Sequence, residues 1–511
     1  MPTVTGAVFN RQKAFLLYAI MGLGVAIRFL RLMDGRSLWL DETMLADNFM
    51  KYSYRALAGP LDSLQSAPLF YLWIEKALAD AFGFSEKLLR LPACIASVAA
   101  IPLLYLLLRR CVSYWPMLFG MSLFAFLPSV VYYSAEVKQY AFDLFFALLL
   151  MYQACVLEDA RSPLRSIAFA ITGALAVWSS TSAVFVEAGI GTVLICSAVL
   201  DKRKKDMLLF AGICSVWLAC FALNYELILS KQIADGGFQK VWIKAFLPLV
   251  PTCMEDLGIL AYHFFHFFSS PFFTWHEVAH RLIMPSSSAL VAFGFFLGCC
   301  RLYRRNRADV YFLLMPVLVA IIASAMHMYP FRERFLIFLV PSIVVLVCAG
   351  VEQVAESFGR ELRAAALVMP GLLLFLAVLG AAMVFARPNK YEDVRPAFEY
   401  VAEHMQPGDV VYIHNRLSPQ YYFYSKYVKS CRLKNPKIIF GATDAEGLKG
   451  LHRDYEALKK YDRIWYLYGP PWDLKDNEGG FIGAGLSQKM ELQDKKQWER
   501  TEAHLYINKK E

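Results

Sequence analysis

The sequence is poor in charged residues and contains no cysteine pattern typical of metal or redox sites. Asp, Glu, Lys and Arg make up 19% of the 511 residues, whereas 58% are hydrophobic. Soluble proteins average about 25% charged and about 45–50% apolar residues, so this composition indicates a chain that crosses a membrane several times. Ten of the eleven cysteines lie before Pro388, and none belongs to a Cys-x-x-Cys pair. This usage disfavours a disulfide framework or a cysteine-bound metal.

Other features are missing from the sequence as well. No small-residue cleavage site follows the first hydrophobic stretch, so we expect a retained span rather than a signal peptide. Internal repeats and mid-membrane charges are lacking, which disfavours a lipid or sugar transporter built from related halves. The net charge of +9 lies mainly in the hydrophobic part, where it suits membrane topology and anionic lipids. Nothing indicates nucleic-acid binding.

Hydrophobic stretches predict a polytopic α-helical membrane protein with about eleven spans. Basic clusters such as Arg109-Arg110 all fall on one side of the membrane in this arrangement. The positive-inside rule makes that side cytoplasmic and places the N-terminus there. Residues 166–200 fit either two spans or one re-entrant hairpin. The predicted spans are 14–33, 88–108, 115–133, 139–157, 166–180, 183–200, 207–229, 284–301, 309–328, 334–351 and 365–386.

From Pro388 onward the composition is that of a soluble domain. Short hydrophobic runs predict strands over Asp409–Ile413 and Arg463–Leu467, and the neighbouring sequence predicts helices over Glu392–Met405 and Asp444–Lys459. This alternation predicts a small α/β domain of about 120 residues on the outer side of the membrane. The predicted domains are 1–387, transmembrane and catalytic, and 388–511, soluble and extracytoplasmic.

The longest outer loop, 34–87, carries the acidic pair Asp41-Glu42 shortly after the first span. Carboxylates this close to the membrane are costly unless they serve a function, so the pair is a candidate active site. An acidic helix start just outside the membrane, stabilised by the helix dipole, explains the pair equally well. Later in the loop, Pro68 opens an aromatic stretch that predicts a helix lying in the membrane interface.

Charged residues recur at the outer ends of the predicted spans. Lys138, Arg332 and Arg334 break the positive-inside bias, and basic side chains at this face suit an anionic group such as phosphate. Snorkelling to lipid headgroups, or pairing with nearby carboxylates, explains each of them singly. Their recurrence on one face favours a functional site. The set is Asp41, Glu42, Glu86, Arg90, Glu136, Lys138, Arg332, Glu333 and Arg334.

Taken in order, these motifs resemble those of the GT-C membrane glycosyltransferases. The most similar branch is that of glycosyltransferase family 39, with the protein O-mannosyltransferases, the lipid A aminoarabinose transferase and rhizobial galacturonosyltransferases. Lys138 stands where the family usually has Arg. The matching segments are Ser37–Glu42 (Trp-x-Asp-Glu), Tyr133–Tyr140 (Tyr-Ser-x-Glu-x-Arg-x-Tyr), Arg334-Phe335-Leu336 with Pro341 (Arg-Tyr-Leu…Pro) and Tyr391–Arg395 (Glu-Asp-Trp-Arg).

The resemblance implies an enzyme of the cytoplasmic (inner) membrane. It would move a sugar from a polyprenyl-phosphate carrier to an envelope glycan, lipid or protein at the outer face, usually with inversion. Asp41 matches the family's general base, and Glu42 or Glu136 would orient the acceptor or tune Asp41. No metal or other cofactor is expected, because the most similar family members need none for the transfer.

The same resemblance assigns the basic residues to the donor. Lys138, Arg334 and Arg332 would bind the phosphate and stabilise the charge that develops on it. Gln65-Ser66-Ala67-Pro68 replaces the His-Pro-Pro that the family often has in the first loop, so no role of that His is carried over. The residues expected to line the acceptor cavity are Trp39, Arg90, Tyr133 and Tyr140.

A zinc hydrolase remains an alternative, because His276-Glu277-Val278-Ala279-His280 satisfies the His-Glu-x-x-His pattern. A catalytic zinc also needs a third protein ligand. No Asp or Glu follows until Asp309, which the predicted topology places on the other side of the membrane. His263 and His266 lie among phenylalanines and suit the membrane interface better than a metal site.

Overall fold

The computed structural model describes residues 4–233, 241–272, 277–357, 367–386, 393–434, 437–442, 446–469, 478–498 and 500–509. Helices account for almost all regular structure before residue 387, and the strands lie after residue 409. The predicted combination of a polytopic helical part and a small C-terminal α/β part is confirmed.

The part up to residue 386 consists of helices joined by short turns. Some segments are helical but not α-helical. Among them are a π-helical turn over Tyr225–Leu229 and a 3₁₀ helix over Glu333–Leu339. The helices are α1 (Val4–Met33), α2 (Leu40–Lys51), α3 (Leu69–Phe82), α4 (Glu86–Cys111), α5 (Tyr114–Phe126), α6 (Pro128–Tyr133), α7 (Tyr140–Asp159), α8 (Pro163–Ser179), α9 (Ala183–Leu200), α10 (Lys204–Asn224), α11 (Ser230–Ile233), α12 (Met254–Ser269), α13 (Glu277–Arg305), α14 (Arg307–Ala325), α15 (Val340–Ser357) and α16 (Val368–Ala386).

Each predicted span coincides with helical structure. Within the described residues, eight helical segments are long and apolar enough to cross a membrane. The predicted spans 115–133 and 166–180 match shorter apolar helices, and 284–301 lies within α13. The chain turns at Leu127 between α5 and α6, because Pro128 cannot continue the preceding helix and suits the first position of the next. The protein is therefore a multi-pass membrane protein.

The segment that fitted either two spans or one hairpin forms two separate helices. Helices α8 and α9 contain 17 and 18 residues, or about 25 and 27 Å at 1.5 Å per residue. Each is nearly as long as the apolar thickness of a bilayer, about 30 Å. The lengths favour two spans over a hairpin that enters the membrane part-way.

Glycine permits the closest helix packing in the bundle. A Cβ atom at Gly298 of α13 would collide with the carbonyl oxygen of Leu346 in α15, and one at Gly350 would collide with that of Gly294. Gly294 and Gly298 are four residues apart, so they share one face of α13. Small residues at this spacing let two membrane helices approach closely.

The C-terminal part is a five-stranded mixed sheet with helices on both faces, in the order β2-β1-β3-β5-β4. Strands β2, β1 and β3 are parallel, and β5 and β4 complete the sheet in antiparallel fashion. The two strands and two helices predicted here are confirmed within a few residues. The elements are α17 (Val394–His404), β1 (Val410–Ile413), α18 (Ser418–Tyr427), β2 (Lys437–Phe440), α19 (Gly447–Leu458), β3 (Arg463–Tyr468), α20 (Glu478–Lys489), β4 (Met490–Trp498) and β5 (Thr501–Asn508).

Alternation along the central strands builds a core on each side of this sheet. Tyr412 and Tyr466 face one side, where they pack with α19 and α20. Trp465 faces the other side, and Tyr400 of α17 contacts it with ring centres 6.0 Å apart. The edge strand β4 is mostly exposed and charged, which discourages pairing with another chain.

Contacts within the chain define two compact units. The first contains Met1–Asp34, Tyr52–Leu78 and Arg90–Ala386, and the second contains Gly35–Lys51, Ala79–Leu89 and Arg387–Glu511. Two pieces of the first outer loop thus share a unit with the C-terminal domain. One of these pieces carries the acidic pair.

Candidate active site

The acidic pair opens helix α2 in the second unit. Glu42 is completely buried, and its carboxylate accepts a hydrogen bond from the backbone N–H of Trp39 at 3.2 Å. Trp39 directly precedes the first helical residue, so Glu42 makes the contact that the acidic member of a capping box makes. Asp41 lies in the same first turn and is half-buried. Glu42 therefore has a structural contact, and Asp41 carries the more accessible carboxylate.

The chain that leads into the acidic pair is bonded to C-terminal residues of the same unit. The backbone N–H of Leu38 donates to the hydroxyl of Tyr424 at 2.6 Å. The backbone N–H of Ser37 donates to the carboxylate of Asp393 at 3.2 Å. Asp393 belongs to the segment that resembles the family's Glu-Asp-Trp-Arg motif. Two motifs that are far apart in the sequence are therefore in direct contact.

Lys138 lies in the first unit, in the irregular turn between α6 and α7. All residues from 131 to 140 are buried, although several are polar. Irregular backbone is tolerated inside a membrane protein where protein or a cavity surrounds it. The ammonium of Lys138 donates to Oε1 of Gln65 at 2.6 Å. A neutral amide thus orients this buried cation.

Arg334 lies among aromatic rings of the same unit. Its guanidinium carbon is 5.2 Å from the ring centre of Trp242. The corresponding distances are 5.8 Å to Tyr140 and 5.6 Å to Phe335. Ring faces attract a cation through their quadrupole and do not neutralise it. The rings therefore help to orient Arg334.

Tyr133 connects the two ends of this cluster. Its ring centre is 5.1 Å from that of Tyr140, and its hydroxyl interacts electrostatically with Glu136 and Arg334. Glu136 is completely buried. The turn between α6 and α7 and the start of the 3₁₀ helix over Glu333–Leu339 thus meet in one polar cluster.

Arg332 contacts a residue with an unusual backbone conformation. Glu333 has a φ of +32°, and such left-handed conformations cost a non-glycine residue roughly 1–3 kcal/mol. The Glu333 carboxylate is 3.3 Å from Nε of Arg332 and 3.3 Å from Nε2 of His266. Backbone strain concentrates at functional sites, and here it falls between the two arginines.

A small groove of about 40 Å³, partly open to solvent, lies beside the turn that carries Lys138. Ser66, which lines the groove, directly follows Gln65, the residue that accepts a hydrogen bond from Lys138. Thr181, which also lines it, accepts a hydrogen bond from Gln139 at 3.3 Å. Most of the wall is apolar. Its lining consists of Ser66, Ala67, Pro68, Val177, Ser180, Thr181, Val184, Phe221, Asn224, Ile228 and Leu229.

The predicted site residues are divided between the two units. Tyr133, Tyr140 and Arg334 are brought together, and Arg90 is buried in α4 with 2% of its surface exposed. The convergence of all the predicted residues on one site stays a prediction. The first unit contains Arg90, Tyr133, Glu136, Lys138, Tyr140, Arg332 and Arg334, and the second contains Trp39, Asp41 and Glu42.

Sequence analysis did not reveal several polar contacts. Gln65 lies in the segment that replaces the family's His-Pro-Pro, and nothing in the sequence paired it with Lys138. Asp143, in the first turn of α7, accepts hydrogen bonds from the Ser180 hydroxyl at 2.5 Å and the Ser182 N–H at 3.4 Å. Tyr424 had no signal, because nothing local marks a partner 386 residues away.

The His-Glu-x-x-His motif falls mostly on residues that the structure does not describe. His276 and the side chains of Glu277 and His280 lie outside the described residues. Within the described part of the chain, no group of three or more His, Cys, Asp or Glu side chains is arranged to hold a metal ion.

Comparisons with known proteins agree with the resemblance to membrane glycosyltransferases. Residues 66–225, less than half of the chain, match the sequence profile of a family described as dolichyl-phosphate-mannose-protein mannosyltransferase. ArnT from Cupriavidus metallidurans, solved with bound undecaprenyl phosphate, superposes with a TM-score of 0.51. It is 11% identical, and the match covers 96% of this chain and 97% of ArnT. The chain therefore shares the fold of this solved membrane protein.

Other solved structures are similar over most of this chain. The Archaeoglobus fulgidus oligosaccharyltransferase, in complex with Zn and sulfate, has a TM-score of 0.53 at 12% identity, covering 88% of this chain and 67% of its own. Archaeal AglB from Archaeoglobus fulgidus, in complex with an inhibitory peptide and a dolichol-phosphate, has a TM-score of 0.51 at 12% identity, covering 98% and 74%. Among curated proteins, no sequence matches this chain.

Proposed function

We propose that this membrane protein moves a sugar from a polyprenyl-phosphate carrier to an acceptor at the outer face of the cytoplasmic membrane. The acceptor is an envelope glycan, lipid or protein, and the reaction inverts the configuration at the sugar's anomeric carbon. The observation that carries the proposal is a pair of cations in the first unit, the buried Lys138 and the half-buried Arg334. Lys138 donates to an amide oxygen, and Arg334 lies beside aromatic rings.

Such cations suit a leaving group that gains charge. The bond between the anomeric carbon and the phosphate oxygen breaks, and its electron pair stays on that oxygen. The singly charged phosphodiester thereby becomes a doubly charged polyprenyl phosphate. Positive groups that are already in place stabilise this developing charge, and one such contact is worth roughly 10²–10³ in rate. Lys138 and Arg334 take this role, with Arg332 as a further phosphate contact.

The acceptor must lose a proton as it attacks the anomeric carbon. Asp41 is the base that takes this proton, because its carboxylate is half-buried in the first turn of α2. Glu42 is completely buried and accepts the backbone N–H of Trp39, so it supports the helix start. Glu136, buried near Tyr133, orients the acceptor or tunes the local charge.

The carrier itself explains why the cations lie in a membrane unit. Polyprenyl chains are apolar, and the groove beside Lys138 is lined mainly by apolar side chains such as Phe221 and Ile228. Two similar structures were solved with polyprenyl phosphates bound, one with undecaprenyl phosphate and one with dolichol-phosphate. The proposal assigns the same class of donor to this chain and includes no metal.

The test compares envelope glycans by mass spectrometry in cells with and without the gene. On deletion, the glycan product is expected to be lighter by the mass of one sugar residue, and that mass identifies the sugar. Asp41→Asn should fail to restore the product, falling at least about 10²-fold below the wild type. Glu456→Gln is the control, because Glu456 is a partly exposed carboxylate of the same unit that pairs locally, with Lys459. Full restoration by Asp41→Asn rejects the base, and unchanged glycans on deletion reject the function.

A further inference from the structure

We infer that the C-terminal domain positions the catalytic segment, and that Arg395 is its central positioning residue. The inference rests on the proposed role of Asp41. It concerns the second unit alone, where residues 35–51 and the C-terminal domain pack together. The sequence left open whether this domain binds the acceptor or only covers the membrane part.

The first observation is a helix cap provided by a distant residue. Asp393 directly precedes α17, the usual place for a capping side chain, yet it makes no capping bond to its own helix. Its carboxylate instead bonds the hydroxyl and the backbone N–H of Ser37. The Ser37 Oγ in turn accepts the backbone N–H of Arg395, the second residue of α17, at 3.0 Å. Ser37 therefore caps α17 from the first loop, and α17 holds Ser37 in place.

The second observation is the set of bonds that the Arg395 guanidinium makes. One nitrogen is 3.1 Å from the Glu86 carboxylate, and another donates to the carbonyl of Gly35 at 3.3 Å. Glu86 also accepts the hydroxyl of Tyr424 at 3.3 Å. One arginine thus joins both pieces of the first loop, the start of the acidic segment and the start of α4. The planar guanidinium suits several simultaneous bonds of this kind.

Packing surrounds this polar network. The ring of Phe84 contacts those of Phe423 and Tyr424 in α18, with ring centres 5.2 and 6.1 Å apart. Leu38 and Phe49 of the acidic segment are completely buried. Lys426 of α18 approaches Asp47 of α2 at 4.0 Å. The segment that carries Asp41 is therefore held on both sides of that residue by α17 and α18.

Such a hold has a consequence for catalysis. A general base must lie within hydrogen-bond reach of the proton it removes, and a displacement of about 1 Å costs roughly 10²-fold in rate. Gly35, Ser37 and Leu38 are irregular backbone, so their bonds to the C-terminal domain set where α2 begins. The domain serves to place the base.

The experiment compares Arg395→Ala and Arg395→Lys with a matched control, Arg453→Ala. Arg453 pairs with Glu446 at 2.8 Å on the exposed surface of the same domain. Three quantities are measured on the full-length protein: the envelope glycan product, the binding of undecaprenyl phosphate, and hydrogen exchange of residues 35–51. Arg395→Ala should lower the product about 10- to 100-fold, raise exchange in 35–51, and leave undecaprenyl phosphate binding unchanged.

Arg395→Lys should recover part of the product, because lysine keeps the charge beside Glu86 but loses the fork that also reaches Gly35. Arg453→Ala should resemble the wild type in all three measurements. Unchanged exchange in 35–51 with Arg395→Ala overturns the inference, as does a wild-type product level while Asp41→Asn is inactive. If Arg395→Ala loosens the segment but no variant or deletion alters the glycans, the proposed function fails and the positioning contact stands. Loss of folding is excluded by wild-type undecaprenyl phosphate binding.

Discussion

The two units hold their functionally placed arginines in opposite ways. Arg334, in the membrane unit, contacts the faces of aromatic rings. Arg395, in the unit with the C-terminal domain, forms an ion pair with Glu86 and bonds a backbone carbonyl. Ring faces attract a cation while its charge persists, whereas a carboxylate cancels much of the charge locally. The ring contacts are compatible with the proposed phosphate-binding role of Arg334, and the bonds of Arg395 join chain segments.

The same contrast extends to backbone structure. In the membrane unit, the candidate residues lie in irregular or strained backbone, the buried turn over 131–140 and Glu333 with its positive φ. In the second unit, the irregular residues Gly35, Ser37 and Leu38 form bonds to helices, mainly to the start of α17. Strain is costly and persists where function requires it, whereas helix starts offer unpaired N–H groups that any capping residue stabilises.

The largest effect is expected at Lys138, and it sharpens the contrast between the units. Lys138→Ala should reduce the glycan product about 100-fold, because a positive group at the leaving phosphate is lost. Lys138→Arg should keep most of the product, since the family motif usually has Arg at this position. Mass spectrometry of envelope glycans measures both variants. An active Lys138→Ala would remove the residue from the phosphate site.

A smaller effect is expected at Glu42, where the contact in the second unit is structural. Glu42→Ala should lower the free energy of unfolding by about 0.5–2 kcal/mol through loss of a helix cap. Glu42→Gln keeps an oxygen that accepts the Trp39 N–H, so its stability and product should remain near wild type. Thermal unfolding and glycan analysis measure the two quantities. A stable but inactive Glu42→Gln would make Glu42 part of the chemistry and weaken the contrast.

The smallest effect concerns a hydrogen bond within strand β5, between His504 and Glu502. The hydrogen bond from His504, at 2.7 Å, lowers the pKa of Glu502. A carboxyl whose folded pKa is depressed contributes stability above its unfolded pKa of about 4.3, and this is lost as the pH falls through the folded pKa. Glu502→Gln should therefore cost about 1 kcal/mol or less at pH 7 and nothing in strong acid. Thermal unfolding of the wild type and Glu502→Gln across this pH range measures the difference in their stability. A difference that does not change with pH would contradict the contribution assigned to the Glu502 carboxylate.

Much of the fold was predictable from the sequence, because it depends on local patterns. A long apolar run forms a helix whichever neighbours it meets, so the predicted spans coincide with helices. The buried runs at Val410–Ile413 and Arg463–Tyr468 likewise form strands. The edge strand β4 was not predicted, since its exposed, charged sequence lacks an apolar run.

The candidate site was predictable in its residues and not in its contacts. Family motifs marked Asp41, Lys138 and Arg334. No local pattern pairs Ser37 with Asp393, which are 356 residues apart, or Lys138 with Gln65. The pair Asp41-Glu42 fitted both a helix start and an active site. The structure shows that Glu42 bonds the helix start, and the catalytic role of Asp41 stays a prediction.

The most direct test of the central claim measures undecaprenyl phosphate binding by native mass spectrometry, with undecaprenol as the phosphate-free control. The account predicts that the wild type prefers the phosphate form. Arg334→Ala should weaken that binding at least about tenfold, which corresponds to the loss of one charge-assisted contact, and Arg395→Ala should bind as the wild type does. Equal binding of undecaprenol and undecaprenyl phosphate, or equal weakening by Arg334→Ala and Arg395→Ala, would contradict it.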